Sequence, residues 1–245
     1  MNRLRRTLGL DRLRRDDSGV TLAELTVTML VLSLFVTCVI MMVTASQKVS
    51  LGVKERMDQS NTMTIAMERI SRNLRTAVLQ SQLTTVCTLS ICTDAAFLQG
   101  TPTSVQFYAD VDNPKNSIGP SKVSYSVVGG VLTETVQKPD SPTPDASGYH
   151  YCTSGATCVI RTTVIATGVS TAQNVFTYYN ATDPVNAMTL TAGALSTEQL
   201  KTVDSIDVQL KVQVAGGANV GAASAVQRVA LPNHDSVVRT DVSNP

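Results

Sequence analysis

The chain contains no tryptophan, four phenylalanines, six tyrosines and two histidines. With so few rings, the Ser-, Thr-, Val-, Ala- and Asn-rich second half suits a β-rich, loop-rich exported domain better than a large buried core. The histidines, His150 and His234, sit in loop-like stretches, and neither a G-x-S-x-G nor a P-loop motif is present. No acid, base and nucleophile set follows from these residues, and the expectation is a protein that is not an enzyme. Proline is missing before Pro102, and Gly52 is the only glycine between Val20 and Gln82. Without helix breakers, that length can form one long helix. Charged residues make up 16% of the chain and the net charge is +1, which points to neither nucleic acid nor an acidic substrate.

The charge that is present is unevenly placed. Residues 1–19 carry six arginines against three aspartates, and the remainder of the chain is slightly acidic. From Val20 to Val43 there follow 24 residues in which Glu24 is the only charge. At 1.5 Å per residue this helix would span about 36 Å, enough for a hydrocarbon core of roughly 30 Å. The arginines on its N-terminal side predict a single-pass segment with residues 1–19 in the cytoplasm and residues 45–245 outside. A secretory signal would have a shorter apolar core and a small-x-small site on its far side. Here the far side reads "VTASQ", and the sharper boundary is on the near side, at Gly19.

Cysteine use agrees with export. Cys38 lies within the apolar run, as a small apolar filler, and Cys87, Cys92, Cys152 and Cys158 lie beyond it. Four thiols in an oxidising compartment read as two disulfides with three possible connectivities. The local pairs 87–92 and 152–158 are favoured because each closes a short loop. A zinc site using these thiolates with His150 is the sharper alternative, but the tight C-x-x-C spacing is missing. No metal or other cofactor is expected. "DVDNPKN" (110–116) resembles a calcium loop through Asp110 and Asp112, yet it has neither the glycine nor the closing glutamate, and a plain turn is expected.

After the apolar run, Met63, Met67, Ile70, Leu74 and Ala77 recur at spacings of four and three, forming one helical stripe. Glu68 and Arg72 make a favourable i, i+4 pair. Arg69, Arg72 and Arg75 are read as a solvated face. One helix is expected from about Val20 to about Gln82. Beyond residue 85 the period changes to two. Strands are expected at 104–110, 122–128, 131–136, 158–165, 175–179, 206–214 and 225–231. Gly129-Gly130 joins two of them as a hairpin. "QKPDSPTPDASGYHYCTSGATC" (137–158) reads as a surface loop, and "STEQLK" (196–201) as a short capped helix. The fold class is α+β: one long N-terminal helix laid against an antiparallel sheet.

The stretch "GVTLAE" ahead of the apolar run resembles the processing site of type IV prepilins and pseudopilins, whose usual form is Gly, an apolar residue, Thr, Leu, x, Glu. The resemblance implies that a prepilin peptidase cuts between Gly19 and Val20 and that Val20 becomes the N-methylated terminus. It also implies that Glu24 sets subunit register against a neighbour's amine. Val20 stands where phenylalanine is most common, a departure that bears on methylation. "MERISRNLRTAV" (67–78), "VQFYADVDN" and "VQRVALPN" resemble larger minor pseudopilins, notably the J-type of type II secretion, and related minor pilins. The organisation implied is a leader (1–19, removed), an assembly half of the helix (20–44), an amphipathic half (45–83) and an exported β-rich domain (84–245). The implied partners are the peptidase, other pilin subunits and an inner-membrane assembly platform. The implied location is the cell membrane and then a filament or its tip. The rival expectations are a signal-anchored envelope protein with a ligand-binding or sensing domain, and an anchored hydrolase that depends on His150.

Overall fold

A computed structural model describes residues 19–83, 95–145, 148–153, 155, 158–213 and 221–232. The chain divides into two compact units, Met1–Leu51 and Gly52–Pro245. In the first, helix α1 (Leu22–Arg75) starts after three non-helical residues, Gly19 to Thr21. Thr21 caps it. The Thr21 hydroxyl accepts the Glu24 N–H at 3.3 Å, and the first helical bond runs from Leu25 N–H to Thr21 O. Threonine at the cap with glutamate three residues on is a helix-start pattern, and the carboxylate also complements the positive end of the helix dipole. Every residue from 19 to 51 is exposed. The hydroxyls of Thr26, Thr28, Ser33, Thr37 and Thr44 each donate to a carbonyl three or four residues back. These hydroxyls are thereby satisfied within the helix itself, as a hydrocarbon environment requires.

In the second unit, the rest of α1 turns its stripe inward. Ala66, Met67, Ile70 and Leu74 are buried, and Met63 packs at the margin of the same core. The helix ends at Arg75, short of the expected Gln82. A single turn, α2 (Gln80–Leu83), follows. The cause is tertiary. Thr76 O accepts from Asp110 N–H, Ala77 bridges Ala109, and Val78 N–H donates to Tyr108 O. These backbone groups are taken by a neighbouring segment and so cannot continue the helical ladder.

Among the described residues eight strands follow, antiparallel throughout, in sheets of five and three. The first sheet has the order β1 (Phe97–Gly100), β2 (Ser104–Ala109), β3 (Ser121–Val128), β4 (Val131–Gln137) and β5 (Ile160–Thr167). The second has β6 (Phe176–Asn180), β7 (Val203–Val212) and β8 (Ala223–Ala230). The β3–β4 hairpin turns on Gly129 and Gly130, with φ of 57° and 76°, the left-handed pair that suits glycine at both positions. Gly168 (φ 73°) lies at the break between the sheets, where its carbonyl accepts from Gln213 N–H. A Cβ there would come within 2.1 Å of the Gln213 carbonyl oxygen, so only glycine fits. On β7, Ile206, Val208, Leu210 and Val212 are buried, while Asp207, Gln209 and Lys211 between them are not. The stripe of α1 and the inner faces of both sheets form one apolar cluster, with Phe97, Phe107 and Tyr125 in ring contact at 5.7 and 6.4 Å. Between β6 and β7 in the chain lies a further helix, α3 (Thr197–Lys201). Ser196 and Gln199 close a reciprocal capping box over it, which makes it the short capped helix expected at 196–201. The fold is α+β, as the sequence leads one to expect.

Candidate functional site

The residues singled out by the sequence fall into separate places. Gly19, Val20 and Glu24 stand at the start of α1. Gly19 has open space where a Cβ would be, and Val20 is 66% exposed. The 19–20 peptide thus lies in exposed, non-helical backbone immediately before the helix. The Glu24 carboxylate has no partner among the described residues and stands at the head of a long apolar surface. That surface includes Val27, Leu30, Leu34, Phe35 and Met41, each at least 61% exposed. α1 is long and apolar enough to cross a membrane, near the N-terminus. A helix of this kind followed by a β-rich domain is the architecture of a single-pass anchored protein.

Cys152 and Cys158 are joined, with their Cα atoms 5.7 Å apart. Their thiolates are therefore unavailable to a metal, which removes the zinc alternative with His150. Cys87 and Cys92 lie outside the described residues. Cys38 is a free, exposed thiol. His150 Nε2 lies 2.9 Å from Asp145 Oδ2, both side chains being exposed. In the 110–116 stretch, Asp110 Oδ1 accepts from Asn113 Nδ2 at 2.8 Å, and Asp112 faces Arg161 at 3.4 Å. The stretch closes as a 3-10 turn, Pro114–Asn116. No group of three or more His, Cys, Asp or Glu side chains able to hold a metal occurs among the described residues.

A cluster that the sequence reading did not foresee ties α1 to the five-stranded sheet. Glu134 on β4 is 1% exposed. Its Oε2 accepts from Arg69 Nε at 2.9 Å, Asn73 Nδ2 at 3.0 Å and the Tyr125 hydroxyl at 2.6 Å. Its Oε1 accepts from Arg69 Nη2 at 2.6 Å. The fork of the guanidinium matches the carboxylate with two bonds. The hydrogen bond to Glu134 raises the Arg69 pKa above its ordinary value. Burial, and then the Glu134 carboxylate, push the Tyr125 phenol well above its usual range. Arg69 is therefore one half of a helix-to-sheet clamp, which corrects its reading as part of a solvated face. Arg72 does face solvent, paired with Glu68 at 2.7 Å. The signal for the clamp was the period of β4, since Leu132, Glu134 and Val136 share the buried face.

Gln59 is the second unforeseen residue. It precedes Met63 by one turn on the stripe, is fully buried, and neither Oε1 nor Nε2 has a hydrogen-bond partner among the described residues. An unsatisfied buried amide costs about 1–3 kcal/mol. Gln59→Leu, of similar length and apolar, is expected to stabilise the second unit by about 1–3 kcal/mol in chemical denaturation. A loss of stability would show that the amide is satisfied in solution.

Compared with protein-family models and with curated proteins, the sequence matches neither.

Proposed function

We propose that the chain is a minor pilin or pseudopilin. In this reading residues 1–19 are a cytoplasmic leader, a membrane-embedded prepilin peptidase cuts between Gly19 and Val20, and α1 holds the mature chain in the membrane with its N-terminus at the cytoplasmic face. From there the subunit enters a type IV filament-like assembly, joining other pilin subunits on an inner-membrane platform, and performs no chemistry of its own.

The observation that carries the reading is the run "GVTLAE" placed at the start of the helix: the Gly19–Val20 bond is exposed and non-helical, and α1 begins only at Leu22. A glycine before the cut lets an enzyme approach the backbone closely. The unpartnered Glu24 supports it further, because a carboxylate at membrane depth marks a functional partner by default. In the filament that partner is the α-amine of a neighbour's Val20.

Co-expression with a prepilin peptidase tests the processing step. The full chain is expected to shorten by the mass of residues 1–19, and Gly19→Val to abolish the shift. An unshortened parent chain, or equal shortening of the variant, would count against it.

A further inference from the structure

Four strands bound the two sheets, and each edge strand presents unpaired backbone groups that invite another chain. The protein covers two of these edges with its own backbone. Leu195 N–H donates to Gly100 O on β1, and Met188 N–H donates to Tyr178 O on β6. A third edge, β5, is broken by a bulge. Leu132 pairs with Ala166 and Thr133 with Val164, which leaves Ile165 as the extra residue and bends the strand. Among the described residues β8 has neither device. It pairs with β7 without a register shift from Ser205↔Ala230 to Val212↔Ala223, and "ASAVQRVA" contains no lysine or proline.

Alternate residues in an antiparallel ladder bond to opposite sides. Gln209 N–H donates to Val175 O on the β6 side, and Leu231 N–H donates to Asp204 O on the β8 side. Odd-numbered residues of β7 thus bond towards β6 and even-numbered ones towards β8. Their partners on β8 are Ala223, Ala225, Gln227 and Val229. Ser224, Val226, Arg228 and Ala230 therefore turn their N–H and C=O groups outward, and no backbone group meets them among the described residues. The Arg228 side chain does not guard this edge. It is held on the sheet face by two bonds to Asp207, at 2.7 and 2.9 Å, and lies 3.9 Å from the Tyr179 ring centroid.

Beside this edge a groove of about 780 Å³ runs between β8 and α1, with Met63, Met67 and Ala225 among its apolar lining. Its one carboxylate, Glu68, is already paired with Arg72. Arg75, also in the lining, is exposed and has no carboxylate partner among the described residues.

We propose that the outer edge of β8 and the groove beside it receive an extended strand of another protein, with apolar side chains at every second position and a carboxylate facing Arg75. A polypeptide is the chemistry that fits, because outward donors and acceptors repeat every two residues, about 6.8 Å apart. A second copy of β8 does not fit, since "ASAVQRVA" brings a further arginine and no carboxylate. This surface stands whether or not residues 1–19 are removed.

The test uses the full chain in detergent micelles and labelled eight-residue peptides of alternating valine and threonine. In these a single glutamate, or a lysine in its place, is moved along the sequence, and binding is read by fluorescence anisotropy. Saturable binding of a glutamate peptide is expected, with the lysine series at least about tenfold weaker. Val226→Pro removes one outward N–H and no bond to β7, and is expected to weaken binding about tenfold or more with the thermal midpoint little changed. Arg75→Glu is expected to reverse the preference towards the lysine series. Absence of saturable binding, or binding untouched by Val226→Pro in a folded variant, overturns the proposal. So does a concentration-dependent dimer that the same proline dissolves, because the edge would then belong to a second copy.

Discussion

Arg69→Met is expected to destabilise the Gly52–Pro245 unit by about 3–5 kcal/mol, the cost of leaving one member of a buried ion pair without its partner. The size of the effect follows from the asymmetry of the pair. Glu134 is 1% exposed and the Arg69 side chain 36%, so the arginine could recover its hydration and the glutamate could not. Of the four bonds to the Glu134 carboxylate, two come from Arg69. Asn73 and Tyr125 would remain as neutral donors that do not balance the charge. Methionine retains most of the aliphatic stem, which separates loss of charge from loss of packing. The second arm is Arg69→Met combined with Glu134→Leu. Removing both charges is expected to recover a large part of the loss, although Tyr125 and Asn73 then lose an acceptor. The check is urea unfolding of the full chain in detergent, followed through the β-sheet signal. A single variant within about 1 kcal/mol of the parent would mean that the Glu134 carboxylate is reached by water in solution and that the clamp contributes little.

Glu24→Gln is expected to leave processing and membrane insertion intact while cutting incorporation into filaments by on the order of a hundredfold. A carboxylate within the bilayer costs about 2.5–3.5 kcal/mol on insertion scales, and that cost is offset only if a partner is waiting. Glu24 has none in its own chain among the described residues. A neighbour's α-amine at Val20 would neutralise both groups, and its loss at about 2.5–3.5 kcal/mol corresponds to roughly two decades in the equilibrium of incorporation. Glutamine preserves the volume and the helix propensity. The Thr21 cap is also retained, because it uses the Glu24 backbone N–H and not the side chain. A fractionation that counts the variant in membranes and in sheared filaments reads both quantities at once. Unchanged incorporation would show that the amine is satisfied elsewhere and that Glu24 serves only the helix start.

Local chemistry made much of this molecule readable. The stripe at Met67, Ile70 and Leu74 is the buried face of α1, Gly129-Gly130 makes the hairpin, and Ser196 caps α3. The 152–158 disulfide closes the short loop that its spacing suggested. What was not legible depends on distant partners. α1 stops at Arg75 because Tyr108, Ala109 and Asp110 take up the backbone of Thr76 to Val78, and nothing in "RTAVLQSQ" announces that. β1 is four residues long and ends in glycine, too short for a period to register. The division into two sheets turns on Gly168 meeting Gln213, a contact between residues far apart in the chain. Glu134 is a different case. Its place in step with Leu132 and Val136 put a carboxylate on the buried face of a strand, and such a residue calls for a basic partner across the core. Arg69, beside the stripe, is the basic residue that meets it, and Asn73 one helical turn on adds a neutral donor.

The mature N-terminus is the most direct test of the prepilin reading. Intact mass and N-terminal sequencing of the chain isolated from the membranes of its native host are expected to find residues 1–19 missing and Val20 as the first residue. A chain beginning at Met1 or Asn2 would contradict the account and leave a signal-anchored protein whose apolar helix is an anchor alone.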